Sequence, residues 1–492
     1  MVNTGAPNIL LVVLDTARAK TVFPGLKNGV MPALGRFAAE GTTFSNTMTT
    51  APWTLSSHAS LFSGQYTADH GTHTGHRRFD PDTPTLTARL RQQGYRTRAI
   101  SGNVWVSPEF GFDAGFDQFS MKWDPFWDGA DLSAASSADG VRDSARALWR
   151  ELTLTNTPKT VANGLYGKLG GGYDDGARLT TWRATRWLRE RGEADEPFFF
   201  FINYLEPHLE YDPPTGYREK FTAGHDPAAL AAIDQDPWAY VAGDESMTAA
   251  DFDGLRGLYK AELNYVDTHL ARLYGALADA DILDETVVVI TSDHGENIGD
   301  HGLMDHQYCL YDTLLHVPLV IRYPRQFAVG ETNSDLVELR DLYPTLVDLA
   351  GGDPTKLPEP VSNVSISPDS PTGSRTAREF AIAEYVKPQP TMDALEQELG
   401  HEPTDSDRLN RALRSIRTRD WKLIEGDDGS VELYDLTTDP AESTDVSADN
   451  PETVRNLRRE LESRRGPMER GSAAETTISE RSRERLADLG YV

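Results

Sequence analysis

The sequence predicts an α/β fold in which helices cover both faces of a large, mostly parallel sheet. Residues 9–14 and 287–290 are uninterrupted apolar runs, which is typical of strands buried on both faces. A set of apolar residues recurs at helical spacing just before the second run and predicts a helix that packs on the sheet. Its members are Leu263, Val266, Leu270, Leu273 and Leu277. Such alternation of strands and helices favours a parallel sheet.

Both apolar runs end in side chains that can bind a metal. Asp15 follows the first run, and Asp293 and His294 follow the second. Because the carboxyl ends of parallel strands lie at one edge of a sheet, we expect these three side chains to meet there. An aspartate after a strand is more often a turn or capping residue, so each position alone indicates little. The repetition of the pattern favours a divalent cation site.

A third predicted strand spans residues 198–204 and is followed by Glu206, Pro207 and His208. The prolines in this region indicate that the chain leaves the sheet, which places His208 on a loop. The segment 54–63 shows a short helical pattern that stops at Gly64.

Thr54 is predicted as the N-cap of that short helix. A helix N-terminus also offers free backbone N–H groups and a positive dipole end to an anion. A hydroxyl group at this end of the helix, beside a metal, could act as a nucleophile. Capping and nucleophilic roles are compatible.

These segments occur in an order that resembles the sulfatase family of the alkaline phosphatase superfamily. The similarity spans nearly the whole chain and is carried by NILLVVLDTARA, PWTLSSHASLFSGQYTADHG, NYLEPHLEYDPP, TVVVITSDHGENIGDHG and RTRDWKLIEGDDGSVELYDLTTDPAE. The resemblance implies an alkaline-phosphatase-like sandwich: a large, mostly parallel sheet covered by helices, plus a small C-terminal antiparallel sheet. It also implies a metal-dependent hydrolase of sulfate or phosphate esters.

The resemblance assigns roles to individual positions. Asp15, Asp293 and His294 match metal-binding positions of the family, and Thr54 falls at the position of the nucleophile, where it would also contact the metal. His208 matches the histidine that contacts the transferred group.

Three further positions follow from the same resemblance. His306 matches a basic catalytic position near the leaving group, although a histidine on a surface loop would give the same pattern. His58 and Asn103 stand where the family carries an arginine and a lysine that bind the substrate. Asp300 and His301 belong to a turn and receive no direct role.

Differences from the family motif limit the reactions that this site is expected to catalyse. Sulfatases carry Cys or Ser in a C/S-x-P-x-R motif and convert it to formylglycine, whereas this chain has Thr54, Ser56 and His58 at the three defining positions. No formylglycine is therefore expected. A phosphothreonine is easier to discharge at a metal site than a sulfated threonine, which favours a phosphate ester. Two carboxylates and a histidine suit one or two divalent ions, Mn²⁺ or Zn²⁺ better than Ca²⁺, with Mg²⁺ also open.

Two alternatives to hydrolysis with Thr54 as nucleophile remain open from the sequence. One is a transferase that passes a phosphoryl-containing group to an alcohol. The other is a catalytically silent binding protein that keeps the fold, although retention of Asp15, Asp293, His294 and His208 argues against it. The expected partner is a small-molecule, glycan or lipid ester of sulfate or phosphate, and the oligomeric state is open.

The amino-acid composition indicates which partners the protein can bind and in which cellular compartment it is expected. The chain of 492 residues has 76 acidic and 48 basic residues, a net charge of -28 and a pI of about 4.8. The negative electrostatic field of so acidic a protein repels nucleic acid, so we expect no nucleic-acid partner. The acidity and scarcity of lysine resemble proteins adapted to high salt, with an ordinary acidic protein as the equal alternative. We find neither a signal peptide nor a membrane span, and only Cys309 is available for disulfides, so we expect a cytoplasmic protein.

The predicted domain organisation has three parts. A catalytic domain spans 1–355 and contains an insertion at about 124–172, which we interpret as a substrate-selecting lid. A small α+β subdomain spans 375–465 and ends in a charged helix over 452–465. Its strands are expected at 380–386, 415–417, 421–425 and 431–436. The tail spans 466–492.

Overall fold

The central strand of the main sheet is the first strand of the chain. A computed structural model describes residues 5–123, 174–191, 196–357, 365–368, 378–468 and 478–487. Strand β1, Asn8–Leu14, pairs in parallel with β5, Phe198–Tyr204, on one side and with β6, Thr286–Ser292, on the other. All residues of β5 and β6 are buried, as are all but the first of β1. The apolar runs of the sequence therefore become strands covered on both faces.

The main sheet has nine strands in the described part of the chain and is mixed. Its order is β10-β2-β9-β6-β1-β5-β3-β4, and β11 also pairs with β2. Only β9 runs antiparallel to its neighbours. The bounds of the remaining strands are Thr42–Met48 (β2), Arg96–Ser101 (β3), Gln118–Met121 (β4), His316–Arg322 (β9), Glu331–Asn333 (β10) and Val337–Glu338 (β11). A short ribbon is formed by β7, Asn297–Ile298, and β8, Met304–Asp305.

The longest helix covers one face of this sheet. It spans Ala249–Asp279 and begins with a capping box between Thr248 and Asp251, which fixes its N-terminus. The apolar positions expected to face the sheet are all buried. Shorter helices lie at Ala19–Asn28, Pro32–Ala39, Thr54–Ser63, Thr67–His70, Leu86–Gln92, Ala177–Arg189, Thr215–Phe221, Pro227–Ala231, Pro237–Ala242, Asp312–Leu315 and Leu342–Leu349. Single 3₁₀ turns lie at Pro108–Phe110, Leu283–Glu285, Asp300–Gly302, Leu339–Asp341 and Pro354–Lys356.

A second, antiparallel sheet of four strands follows near the C-terminal end. Its strands pair in chain order: Ala381–Tyr385 (β12), Leu413–Arg417 (β13), Trp421–Gly426 (β14) and Val431–Asp435 (β15). The helix Pro451–Arg465 packs on this sheet through Leu457 and Leu461. Further helices lie at Met392–Leu399, Ser406–Leu409 and Glu480–Ala487. One contact between the small sheet and the large part of the molecule is the hydrogen bond that the Ile382 N–H donates to the buried Glu338 carboxylate at 2.8 Å.

The predicted fold class is confirmed: a large, mostly parallel sheet with helices, and a small antiparallel sheet. The domain boundaries at 355 and 375 remain predictions. The proposed lid at 124–172 lies outside the described residues, as does about half of the tail 466–492. Among the residues that are described, no helix combines the length and apolar character that a bilayer crossing requires.

Candidate active site

Four adjacent parallel strands bring the candidate residues to one edge of the sheet. In the order β6, β1, β5 and β3, their carboxyl ends lead into Asp293, Asp15, the loop of His208, and Asn103. The backbone register holds these ends level, since the Asp15 N–H donates to the Tyr204 carbonyl at 3.0 Å. The convergence predicted from the strand endings is therefore what the structure shows.

Asp15, Asp293 and His294 form a buried group whose ligand atoms all lie within 4.8 Å of one another. His294 Nε2 is 3.3 Å from Asp293 Oδ2 and 3.9 Å from Asp15 Oδ1. Neither of these two carboxylate oxygens has a hydrogen-bond partner in the part of the chain that the structure describes. Two bare, buried carboxylate oxygens facing one ring nitrogen fit a divalent cation, because an ion would supply the missing partner.

Burial and neighbouring charges shift the pKa values of all three residues from their usual ranges. Burial, followed by repulsion from Asp293, raises the pKa of Asp15 well above its usual range, and burial raises the pKa of Asp293. Burial and the nearby His306 lower the pKa of His294 well below its usual range, so its ring is neutral. His294 Nδ1–H donates to the Gly295 carbonyl at 2.9 Å. The lone pair of Nε2 is therefore directed at the carboxylates, as a metal-binding histidine requires.

The glycine after this pair is required by close packing. A Cβ atom at Gly295 would lie 2.0 Å from the Thr313 carbonyl oxygen. The Gly295 N–H donates to the Leu314 carbonyl at 2.7 Å. This contact turns the chain directly after His294 and holds the end of β6 against the segment 313–314.

Thr54 lies beside the metal group, in the first turn of the helix Thr54–Ser63. Its hydroxyl donates to His294 Nε2 across 3.1 Å. The expectation that Thr54 is the N-cap is wrong: the cap residue is Trp53, in an extended conformation, and no side chain caps the helix. The reason is that the Thr54 hydroxyl is directed at His294 and Asn103 and not back at the helix backbone. That direction is the one a nucleophile needs.

Asn103 links Thr54 to the Asp15 carboxylate. Its Nδ2 donates to Asp15 Oδ2 at 2.7 Å and lies 3.5 Å from Thr54 Oγ1. Its Oδ1 accepts the Trp105 N–H at 2.9 Å, which fixes the orientation of the amide. Asn103 was predicted to bind substrate, and its observed bonds also give it a positioning role.

His58 lies beneath the site. Its Nδ1 donates to the Thr54 carbonyl at 2.9 Å and is 3.5 Å from Asp293 Oδ2, while its Nε2 accepts from Asn203 Nδ2 at 3.1 Å. Both ring nitrogens are thus held by protein atoms, and burial lowers the pKa of the ring. The predicted contact with substrate remains untested. These contacts favour a supporting role beneath Thr54 and Asp293.

His208 and His306 face the same region, as the sequence predicted for two groups that flank a transferred group. Their ring centroids are 5.2 Å apart, and the His306 ring lies 4.4 Å from that of His294. Burial lowers the pKa of His208 to about 4, and its Nδ1 contacts the Leu209 carbonyl. Burial opposes a charge on His306, but the adjacent Asp305 carboxylate raises the pKa of His306 well above its usual range. The site therefore pairs a neutral histidine with a protonated one.

Three residues near the site, Arg18, Glu296 and Asp305, were not singled out by the sequence. Glu296 and Asp305 lie against His306, in a second group of buried potential ligands. Arg18 makes an ion pair with Asp300 at 2.9 Å, which outweighs burial and lowers the pKa of Asp300 to about 2. Only for Glu296 was there a sequence signal, because it directly follows the Asp-His-Gly turn.

The fold and the site together define an α/β ester hydrolase in which a threonine hydroxyl, in the first turn of a helix, lies at a buried Asp/Asp/His group. Residues 7–352 match the family model for the sulfatases. The chain belongs to the sulfatase family, and the predicted resemblance and enzyme class are confirmed. Among curated relatives, arylsulfatase K of Canis lupus familiaris is 25% identical over 484 residues, which cover 93% of this chain and 82% of that protein.

Solved structures show the same fold. BT4656 in complex with its substrate D-glucosamine-2-N,6-O-disulfate superposes with a TM-score of 0.67 and 21% identity, covering 93% of this chain and 97% of that one. The phosphonate monoester hydrolase of Agrobacterium radiobacter superposes with a TM-score of 0.64 and 22% identity, covering 96% and 98%. One fold thus carries enzymes named for sulfate and for phosphonate esters.

Proposed function

We propose that this protein is a metal-dependent hydrolase that cleaves phosphate or phosphonate esters in preference to sulfate esters, with Thr54 as nucleophile. One observation carries the proposal: the Thr54 hydroxyl lies 3.1 Å from His294 Nε2, at the buried group that fits a divalent cation. The position of the nucleophile is kept, whereas the residue type required for formylglycine is not.

Asp15, Asp293 and His294 would hold the metal, with Thr54 completing the set. The bound ion would supply a lowered pKa for a hydroxyl group and positive charge for the non-bridging oxygens of the substrate. The mixed set of oxygen and nitrogen donors suits Mn²⁺ or Zn²⁺.

The chain orients Thr54 before any substrate arrives. Asn103 Nδ2 and His294 Nε2 approach the hydroxyl from two directions, so the side chain is confined to one orientation. Thr54 also lies at a helix N-terminus, which offers free backbone N–H groups to an anionic substrate. In the proposed reaction Thr54 Oγ1 loses its proton and bonds to phosphorus, while the bond from phosphorus to the ester oxygen breaks and that oxygen leaves as an alcohol after taking up a proton. Water later attacks the phosphothreonine, which breaks the bond from phosphorus to Oγ1, releases phosphate and returns the Thr54 hydroxyl.

His208 and His306 would have different roles, the first as a proton acceptor and the second as a hydrogen-bond donor. Neutral His208 can accept a proton from the water that cleaves the phosphothreonine, because its pKa of about 4 keeps a lone pair available at neutral pH. His306, held by Asp305, can donate a hydrogen bond to an oxygen of the transferred group. A neutral base and a charged donor, with rings 5.2 Å apart, match the two demands of the reaction.

Phosphorus is favoured over sulfur because of the nucleophile. A formylglycine hydrate releases sulfate by breaking its own C–O bond, and threonine cannot become an aldehyde. A sulfated threonine would have to wait for water to attack a crowded sulfur. The fold does not decide between the two, because similar structures carry both chemistries. The residues at positions 54, 56 and 58 support the choice of phosphorus.

The test is a substrate panel on the purified full chain. It would compare p-nitrophenyl phosphate, bis-p-nitrophenyl phosphate, p-nitrophenyl phenylphosphonate and p-nitrophenyl sulfate, each with Mn²⁺, Zn²⁺, Mg²⁺ or Ca²⁺. We expect cleavage of at least one phosphorus ester and little or none of the sulfate. Added glycerol would reveal transfer, since a transferase would yield glycerol phosphate in place of free phosphate.

Variants identify the nucleophile. Thr54→Ala should abolish turnover, whereas Thr54→Ser should retain part of it because the hydroxyl survives. Thr87→Ala is the matched control: Thr87 is fully buried, its hydroxyl has no hydrogen-bond partner in the described chain, and it lies on the helix Leu86–Gln92. Turnover by Thr54→Ala at the wild-type rate, or cleavage of the sulfate ester alone, would refute the proposal.

A further inference from the structure

We propose that Glu296, Asp305 and His306 bind a second divalent cation, adjacent to the ion held by Asp15, Asp293 and His294. The proposal deepens the proposed function, because two ions would flank the same transferred group. It can nevertheless fail separately, since ion binding is measured without any substrate.

The three side chains have the geometry of a ligand set. Their donor atoms all lie within 4.8 Å of one another, and all three residues are buried. His306 Nδ1 contacts Asp305 Oδ1 and lies 3.7 Å from Glu296 Oε1, so this nitrogen is directed at both carboxylates. A shared ion would replace a direct contact between His306 and the acids.

Glu296 supplies an independent observation. It is 0% exposed, and neither of its carboxylate oxygens has a hydrogen-bond partner in the described chain. The 3.7 Å to His306 Nδ1 is too long for a hydrogen bond. A fully buried carboxylate loses its hydration, and the His306 ring at 3.7 Å compensates that loss only through space. A bound cation would supply the direct partner that both Glu296 oxygens lack.

The chain holds these acids rigidly. The Glu296 N–H donates to the Thr313 carbonyl at 3.1 Å, directly after the tight turn at Gly295. Asp305 lies in the ribbon β7–β8, where its Oδ1 accepts the His306 N–H at 2.8 Å and its Oδ2 accepts Gln307 Nε2 at 2.7 Å. Ligands fixed by backbone and side-chain bonds are typical of a preformed metal site.

Charge balance also favours two ions. The two groups together contain four buried carboxylates, from Asp15, Asp293, Glu296 and Asp305. One divalent ion and a protonated His306 would leave one negative charge uncompensated in this interior. Two divalent ions would leave none, because the neighbouring Arg18 and Asp300 neutralise each other at 2.9 Å.

The spacing suits joint action on one substrate. His294 and His306 belong to different groups, and their ring centroids lie only 4.4 Å apart. Pairs of ions about 3.5–4 Å apart clamp the attacking and leaving oxygens in many phosphoryl-transfer enzymes. An ion on His306 Nδ1 would replace the proton that this nitrogen carries without metal and would leave the proton on Nε2. The ring would then still donate the hydrogen bond that the proposed function assigns to it, and the ion would supply the positive charge.

The experiment counts Mn²⁺ ions on the full chain after removal of metals with EDTA. Isothermal titration and metal analysis should give two ions per wild-type chain, and electron paramagnetic resonance should show two magnetically coupled Mn²⁺ ions. Glu296→Gln and, separately, Asp305→Asn should bind one ion and lose the coupled signal. Glu262→Gln is the matched control, because Glu262 is a buried glutamate outside both groups and should still bind two.

Asp293→Asn separates the two sites, since it should also reduce the count to one but at the first site. A wild-type count of one that is lost in Asp293→Asn and unchanged in Glu296→Gln would overturn the second site and leave the proposed function intact. A count of zero would overturn both. Two ions in wild type that persist in Glu296→Gln and Asp305→Asn would likewise overturn the proposal, and the coupled signal in wild type does not depend on how any variant folds.

Discussion

Replacing Asn103 with alanine separates a positioning role from a substrate-binding role. In the structure the Asn103 amide donates to the Asp15 carboxylate at 2.7 Å and approaches the Thr54 hydroxyl at 3.5 Å. A hydrogen bond to a charged group contributes about 1.5–3 kcal/mol. If this bond acts mainly by fixing the nucleophile and its metal ligand, its loss should lower kcat by roughly 10- to 150-fold and leave KM nearly unchanged.

The assay is steady-state kinetics on the best phosphorus ester of the substrate panel, with Mn²⁺ titrations in parallel. Asn103→Ala also removes the acceptor of the Trp105 N–H, which bonds to Asn103 Oδ1 at 2.9 Å. That loss should destabilise the fold by about 1 kcal/mol, and urea unfolding measures it separately. The matched control is Asn264→Ala, because Asn264 is mostly buried, donates to the Val30 carbonyl at 2.8 Å, and lies on the long helix away from Thr54.

An unchanged kcat with a raised KM in Asn103→Ala would refute this reasoning and return Asn103 to the substrate-binding role predicted from the sequence. Equal losses of kcat in Asn103→Ala and Asn264→Ala would also refute it, because they would trace the effect to general destabilisation. Loss of Mn²⁺ affinity without loss of stability would locate the effect at Asp15.

Three further predictions concern His208, the buried His269 and the net charge of the chain. His208→Ala should lower turnover by about 10²–10⁴-fold with little change in melting temperature, and parallel losses of both would mark a structural histidine. Burial lowers the pKa of His269 from 6.5 to about 4, so its contribution to stability is complete above pH 6.5 and is lost as the pH falls toward 4. In wild type the free energy of unfolding should therefore fall by on the order of 3 kcal/mol between pH 6.5 and 4 because of this group, and His269→Phe should abolish that fall. Urea unfolding at each pH measures it, and a variant with the wild-type pH profile would contradict the prediction. The net charge of -28 should make the melting temperature rise between about 0.1 M and 1 M KCl, as the Debye length falls from about 10 Å to about 3 Å; a flat response would argue against a high-salt adaptation.

The strands that carry the site were predictable because each is a self-contained apolar run. The run 198–204 matches β5 to the residue, and Asp15 and Asp293 lie where buried strands must end. The antiparallel direction of β9 could not be predicted, since direction depends on pairing across the sheet and not on the residues of His316–Arg322.

The missed parts of the site depend on tertiary contacts. Asp305 carries no local signal, because its proximity to Glu296 arises from pairing of the two-residue strands β7 and β8. The helix start at Thr54 was misplaced by one residue for a similar reason. A threonine before an apolar helical pattern favours capping, but bonds to His294 and Asn103 redirected its hydroxyl.

The central position of β1 has a consequence for synthesis of the protein on the ribosome. Its two hydrogen-bonded neighbours, β5 and β6, come from far along the chain, and the Ser292 hydroxyl that donates to the Leu14 carbonyl lies 278 residues downstream. At about 5–20 residues per second, roughly 15–55 s separate translation of these two residues. For that interval one of the most apolar segments of the chain lacks at least one of its two partner strands. We therefore expect nascent chains to rely on holding chaperones that recognise NILLVVL, and the metal group to form only after β6 has been made.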